Sequence, residues 1–217
     1  MRLIDLSQPL FDGCPNCPVH PRVSATITAR HESDGWHMEQ LSLASHTGSH
    51  IDAPLHKIAG GKSISDFPIE SFVGNALLAD LRDAGQDLPI DADLLASRLP
   101  ASIEDAIVLL ATGWGERRAA GEEWHYHSPY LAPSGAEWIV NRGARAVGID
   151  HYSIGGSRDP DNSRTHEILL GAGLWVVEDL HFPQEIFSAS QPLQFWALPI
   201  NFSGFSGSFC RPVIALS

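Results

Sequence analysis

The chain has 217 residues, with 26 Asp and Glu against 14 Lys and Arg, for a formal charge of −12. A surface of that sign repels polyanions and Arg117-Arg118 is the one adjacent basic pair, so nucleic acid is excluded as a natural partner. No run of about 18 apolar residues occurs and no basic segment followed by an apolar stretch opens the sequence, so a cytoplasmic protein without a membrane partner is expected.

This length suits one domain spanning 1–217, and no repeat or low-complexity linker divides it. Arg2 to Leu6 reads as a first strand, and the Pro-rich stretch from Pro9 to Pro21 as an extended arm, so that residues 1–22 form an N-terminal strand and arm. Val23 to Arg30 and Met38 to Ala44 alternate small apolar and polar residues around Ser33-Asp34-Gly35, which predicts a hairpin with an Asp-Gly turn. Ala76 to Leu81 and Ile107 to Ala111 are short apolar runs of the kind that make buried strands.

Helices are expected between these runs. Ala92 to Arg98 stops before Pro100, and Ser134-Gly-Ala-Glu137 has the capping-box pattern that opens a helix closed by Gly143. Ala146 to Ile149 is strand-like, a helix starts near Thr165 and ends at Gly171 or Gly173, and Leu174 to Glu178 is a strand. Two further strands are placed near Phe195 to Ile200 and Pro212 to Leu216. The class is mixed α/β with a substantial antiparallel share.

Chemistry concentrates in one segment. His46-Thr-Gly-Ser-His50-Ile-Asp52-Ala-Pro-Leu-His56 holds three histidines and an aspartate within eleven residues, a donor set suited to zinc, manganese or iron. Gly48 and Pro54 oppose a continuous helix here, so the segment reads as a turn leading into extended chain. His50 and Asp52 then point the same way, and Gly48 lets His46 fold back toward them. Three ligands leave a coordination position open, where a divalent ion lowers the pKa of a water to about 7. His56 suits the transfer of the proton, with service as a fourth ligand as the alternative.

Other segments carry weaker signals. Cys14-Pro-Asn-Cys17 has redox spacing, but Pro15, Pro18 and Pro21 forbid the helix that a thioredoxin-type site needs, and only Cys210 remains for a zinc ribbon. His125-Tyr-His127 is a possible metal pair without a nearby carboxylate. Phe11, Trp36 and His37 are candidates for an aromatic pocket. Gly113-Trp-Gly115 and Gly155-Gly156-Ser157 lack phosphate-loop context, and Asp159, Asp161 and Asn162 lack the central Gly and terminal Glu of a calcium loop, so all three read as turns.

The pattern His46-x-Gly48-x-His50-x-Asp52-x-Pro54-x-His56 resembles the signature of the metal-dependent cyclase family, which includes bacterial kynurenine formamidases and isatin hydrolases. Val147-Gly-Ile-Asp150, His166-Glu-Ile-Leu-Leu170 and Glu178-Asp-Leu180 resemble its later blocks, so the resemblance covers most of the chain. It implies a single-domain α/β fold with a largely antiparallel, barrel-like β sheet of the swivelling β/β/α type, flanked by helices. It also implies one or two divalent ions, Zn²⁺ or Mn²⁺. His46, His50 and Asp52 would hold the first ion, Asp52, His166 and Glu178 the second, and His56 would be the catalytic histidine.

Three departures bear on the substrate. Ser49 replaces the usual Thr, Cys14-Pro-Asn-Cys17-Pro-Val-His20-Pro stands where kynurenine formamidases have aromatic-Pro-Gly-Asp, and His151-Tyr152-Ser153 stands where Thr-Pro-Ser is typical. The resemblance implies hydrolysis of a small aryl formamide such as N-formylkynurenine, or of a cyclic amide such as isatin or a lactone. It further implies a homodimer whose arm reaches toward the neighbouring pocket. A metal-binding protein without catalysis and a thiol-redox protein using Cys14 and Cys17 are the competing readings.

Overall fold

Residues 1–216 are described in a computed structural model. The strands are β1 (Arg2–Asp5), β2 (Ser24–Ala29), β3 (Met38–Ser42), β4 (His50–Asp52), β5 (Val73–Asp80), β6 (Pro89–Ile90), β7 (Ile107–Ala111), β8 (Tyr130–Leu131), β9 (Ala146–Ile149), β10 (Trp175–Glu178), β11 (Leu193–Trp196), β12 (Gly207–Phe209) and β13 (Val213–Leu216). The helices are α1 (His31–Asp34), α2 (Ala92–Arg98), α3 (Glu122–Tyr126), α4 (Pro133–Asn141) and α5 (Asp161–Gly171). None of them is long and apolar enough to cross a membrane.

Nine strands form one sheet in the order β1-β13-β11-β5-β7-β9-β10-β4-β12. Five of its eight pairings are antiparallel, as expected, but the centre from β5 through β7 and β9 to β10 is parallel. Parallel neighbours need a crossover, and here α2, α4 and α5 supply them. Side-chain alternation then separates two cores. Val108 and Leu110 of β7 face Leu95, Ile139 and Leu169 of those helices, whereas Ile107 and Leu109 face Phe72, Trp175 and Phe195 on the other side.

The sheet curls into a half-barrel. After β1, on the far edge, Ser7 bridges to Leu180 beyond β10, and the His181 N–H donates to the Leu6 carbonyl at 2.8 Å. Gly148 of β9 sits inside this curl. A Cβ there would lie 2.6 Å from Val177 Cγ1 and 3.0 Å from Leu180 Cδ1, so only glycine lets β9 pass beneath those side chains.

Several local expectations are corrected. The β2–β3 connection is the helical turn α1 closed by Gly35 at φ 74°, with a bulge between Ile27 and Ala29, instead of a two-residue Asp-Gly turn. Helix α4 has no side-chain cap: Pro133 occupies its first turn, so Ser134 and Glu137 form no capping box. Helix α5 begins four residues before Thr165, with Asp159 Oδ1 accepting the Ser163 N–H at 3.0 Å. The strand expected at 195–200 is Leu193–Trp196, and β12 went unanticipated. The Asp91 side chain does cap α2 by accepting the Leu94 N–H at 2.9 Å.

Because an added methyl has no space at Gly148, Gly148→Ala is expected to destabilise the protein by about 1–3 kcal/mol, read as a lower urea midpoint with an unchanged m-value.

Candidate active site

The site is assembled by strand register. His50 and Asp52 share one face of β4, and Ile51 between them enters the inner core. In the β4–β10 ladder Val176 opposes Asp52 and Glu178 opposes His50, so Glu178 emerges on that same face. Val176 packs with the helix-side core, which identifies the face as the one covered by α5. From its second turn α5 presents His166 to the two carboxylates.

His46 and His56 close the group. Gly48 at φ 63° turns the chain between His46 and β4, and a Cβ there would meet Leu10 at 2.6 Å. Gly207 on β12 lies opposite Asp52, and a Cβ there would come within 2.3 Å of His46 Cε1. The imidazole therefore occupies the space that any other residue at 207 would fill. Pro54 begins the 3₁₀ turn 54–56 that carries His56 round, placing its ring centroid 4.0 Å from that of His46.

Asp52 is the hub. Its Oδ1 lies 2.6 Å from His46 Nδ1 and 3.2 Å from His50 Nε2, while Oδ2 lies 3.9 Å from His56 Nε2 and 3.8 Å from His166 Nε2. Glu178 lies 3.6 Å from His50 Nε2 and 3.4 Å from His166 Nε2. Oδ2 of Asp52 is buried and has no hydrogen-bond partner among the described residues. An orphaned carboxylate oxygen in a protein interior costs free energy unless a cation meets it.

The remaining ring nitrogens face outward from the group. His50 Nδ1 meets the Gly48 carbonyl at 2.7 Å and His166 Nδ1 the Asn162 carbonyl at 2.8 Å. Those carbonyls fix the protons on Nδ1 and leave each Nε2 directed at carboxylates. His46 Nε2 meets Ser206 Oγ at 2.9 Å.

The charges of the cluster shift its histidines in opposite directions. Burial by itself would lower His50, but the hydrogen bond to Asp52 and the Asp52 and Glu178 charges push it up to about 9. His166 is likewise opposed by burial and carried up to about 9 by Glu178 and Asp52. Burial opposes ionisation of Asp52, yet His46 and His50 hold it well below the usual carboxylate range. Protons on His50 and His166 thus compensate carboxylates that a divalent ion would neutralise in their place. His56 goes the other way: burial, followed by the neighbouring imidazoles, lowers it to about 4 against the pull of Asp52.

Two sets of donor atoms converge closely enough to hold an ion, His46-Asp52-His56 and His50-Asp52-Glu178. Both contain Asp52. They open on a cavity of about 390 Å³, walled by Cys17, Val19 and His20 of the arm and by Tyr126, Tyr152 and Asn162.

The Cyclase family model matches residues 4–155. The chain belongs to the Cyclase family. It is 26% identical over 217 residues to the kynurenine formamidase of Erythrobacter litoralis, covering 98% of this chain and 93% of that one. It is 29% identical over 185 residues to the kynurenine formamidase of Salinibacter ruber, covering 83% and 82%. Among solved structures, a potential metal-dependent hydrolase with cyclase activity matches at TM-score 0.80 and 25% identity, covering 98% of this chain and 96% of that one. Isatin hydrolase A from Labrenzia aggregata bound to benzyl benzoate matches at 0.84 and 22%, covering 98% and 93%, which shows a shared fold.

In this Cyclase-family chain the six residues singled out from the sequence, His46, His50, Asp52, His56, His166 and Glu178, lie in one cluster. Within the cluster the donor atoms of His46 and His56 converge with Asp52, and those of His50 and Glu178 do so as well. His166 is in the second turn of its helix and not at the start, since α5 begins earlier. Phe11 and Trp36 are exposed and, with His37, lie outside the cavity wall. His127 pairs with Asp87 at 2.8 Å, away from the cluster. His151 is fully buried, its Nε2 facing the Trp124 carbonyl at 2.9 Å and its Nδ1 facing Ser128 Oγ at 3.0 Å, and so organises the core behind the cavity. All three cysteines are free.

Sequence reasoning missed Ser206 and Gly207, whereas the arm segment that it linked to the substrate, Cys14 to Pro21, does supply Cys17, Pro18, Val19 and His20 to the wall. A glycine within a strand signals close approach of another group, but β12 is three residues long in a Gly/Ser-rich stretch that reads as a loop. Gly207→Ala is expected to displace the His46 ring and weaken zinc binding about 10-fold or more, measured by competition with a chromogenic chelator.

Proposed function

We propose that the chain is a divalent-metal-dependent amidohydrolase that cleaves the C–N bond of a small aryl formamide of the N-formylkynurenine type. The observation that carries this reading is the buried, partnerless oxygen of Asp52 set among four imidazoles and Glu178 at the floor of an open cavity. His46, His50 and Asp52 would hold one ion, with Asp52, His166 and Glu178 available for a second, and zinc or manganese suits such nitrogen and oxygen donors. When bound, the ion supplies Lewis acidity that polarises a substrate carbonyl and acidifies water.

The chain's own groups divide the remaining work. His56 has the most exposed side chain of the six, 34% against at most 11% for the others, so it faces the cavity where substrate enters. Burial and the neighbouring imidazoles favour its neutral form, which can accept a proton and return it to a leaving nitrogen. The Gly48 and Asn162 carbonyls keep His50 and His166 from rotating out of place. Tyr126 and Tyr152 give the cavity an aromatic side suited to an aryl group. The names of the sequence relatives favour the formamide; an isatin-type cyclic amide or lactone is the alternative, in keeping with the isatin hydrolase among the structural neighbours. The open mouth argues against a closed structural metal site.

A homodimer is part of this proposal. Among the described residues the β2–β3 hairpin pairs with no other strand, and it exposes Trp36 at 76%, Met38 at 55% and Leu41 at 58%. A lone hairpin is marginal in water, and an exposed apolar patch of this kind suits a second copy of the chain. Replacing Trp36 and Leu41 together with Glu is expected to yield a monomer by analytical ultracentrifugation; a parent protein that is itself monomeric at micromolar concentration contradicts the dimer.

The reaction is tested by offering N-formylkynurenine, isatin and simple lactones to metal-loaded protein. His56→Ala is expected to keep its metal, by elemental analysis, while hydrolysis falls about 10²–10⁴-fold. Hydrolysis at the parent rate would remove His56 from the mechanism. Dialysis against a chelator is expected to abolish turnover, and zinc or manganese to restore it.

A further inference from the structure

The arm from Pro9 to Pro21 contributes no strand to the sheet, yet it supplies Cys17, Pro18, Val19 and His20 to the cavity wall. Such a segment needs anchors to hold a fixed position. At its far end His20 Nδ1 meets the His46 carbonyl at 3.0 Å. Asn16 Nδ2 donates to Thr47 Oγ1 at 3.4 Å, and just before the arm the Gln8 N–H donates to Ser49 Oγ at 2.8 Å; the one side chain that holds two points of the arm at once is Arg118.

Arg118 is buried, with 6% of its side chain exposed. Its Nε donates to both carboxylate oxygens of Asp179, at 3.2 and 3.0 Å, and Nη2 lies 2.9 Å from Oδ2. Nη1 donates to the Pro9 carbonyl at 3.0 Å and Nη2 to the Pro15 carbonyl at 2.8 Å. Asp179 directly follows Glu178. Its own N–H donates to the His151 carbonyl at 2.7 Å, and its carbonyl accepts the Ser49 hydroxyl at 2.7 Å, which ties it to β4 as well. One planar guanidinium thus joins two points of the arm to the strand end that carries the site, a geometry that the point charge of lysine cannot reproduce.

We infer that Arg118 is a positioning residue: through Asp179 and the Pro9 and Pro15 carbonyls it fixes the Cys17–His20 wall against which the substrate rests, without contacting substrate itself. The substrate half of this inference depends on the hydrolase reading above; the latch does not. Removing the arginine alone would strand a buried Asp179 charge, so Arg118→Gln is combined with Asp179→Asn, and Arg118→Lys serves as a second variant that retains the charge.

Cys17 reports the wall directly, because its thiol is half-buried in the segment that the latch holds. The test compares parent and variants for the iodoacetamide labelling rate of Cys17 by peptide mass spectrometry, for bound metal, and for KM and kcat. Labelling is expected to accelerate about 10-fold in the double variant, and less in Arg118→Lys, with metal content unchanged. KM is expected to rise about 10-fold while kcat stays within about 3-fold of the parent. Unchanged Cys17 labelling in both variants overturns the latch, and a kcat loss at constant KM overturns the wall-positioning role. A parent that hydrolyses nothing in the panel defeats the hydrolase reading and leaves the labelling rates to decide the latch.

Discussion

One carboxylate in the protein interior sets the terms for the rest of the structure. Asp52 is almost completely buried, ionised by its imidazole neighbours, and left with an oxygen that no protein donor reaches. Removing an ion from water costs several kcal/mol even after relaxation, and four histidines drawn around it repay this cost only where they carry protons or share a cation. Asp52 and Glu178 draw protons onto His50 and His166, while burial and the neighbouring imidazoles keep one off His56. Under the proposed function a divalent ion would displace those protons on binding.

The fold secures that carboxylate by giving each partner a different route to the same point. Ladder register delivers His50 and Glu178, a crossover helix delivers His166, a left-handed glycine returns His46, and a proline-initiated turn brings His56. Two glycines make the close approaches possible, Gly207 beneath the His46 ring and Gly148 within the curl of the sheet. The parallel centre matters as well. It requires helices on one face, and that face is where Asp52 and Glu178 emerge.

Much of this was legible before any coordinates. The short spacing of His46, His50, Asp52 and His56 made the cluster visible because these donors are local in sequence, and the turn at Gly48 followed from the residue itself. The buried runs at 107–111 and 146–149 matched strands residue for residue, since they are apolar throughout and bounded by turn residues. His166 and Glu178 were reached only through family resemblance, because a lone polar residue on a helix or at a strand end carries no local signal of its use. The pairing of the metal donors, the three-residue strand β12 and the Arg118 anchor were out of reach: each depends on contacts between segments far apart in the chain, which neither propensity nor periodicity encodes.

The most direct measurement is the metal stoichiometry of purified, dialysed protein compared with that of Asp52→Ala, both by inductively coupled plasma mass spectrometry after exposure to zinc and to manganese. The account predicts that the parent retains one or two ions per chain and that the variant, still folded by circular dichroism, retains none. A parent that binds neither ion, or a folded variant that binds as much as the parent, would contradict it.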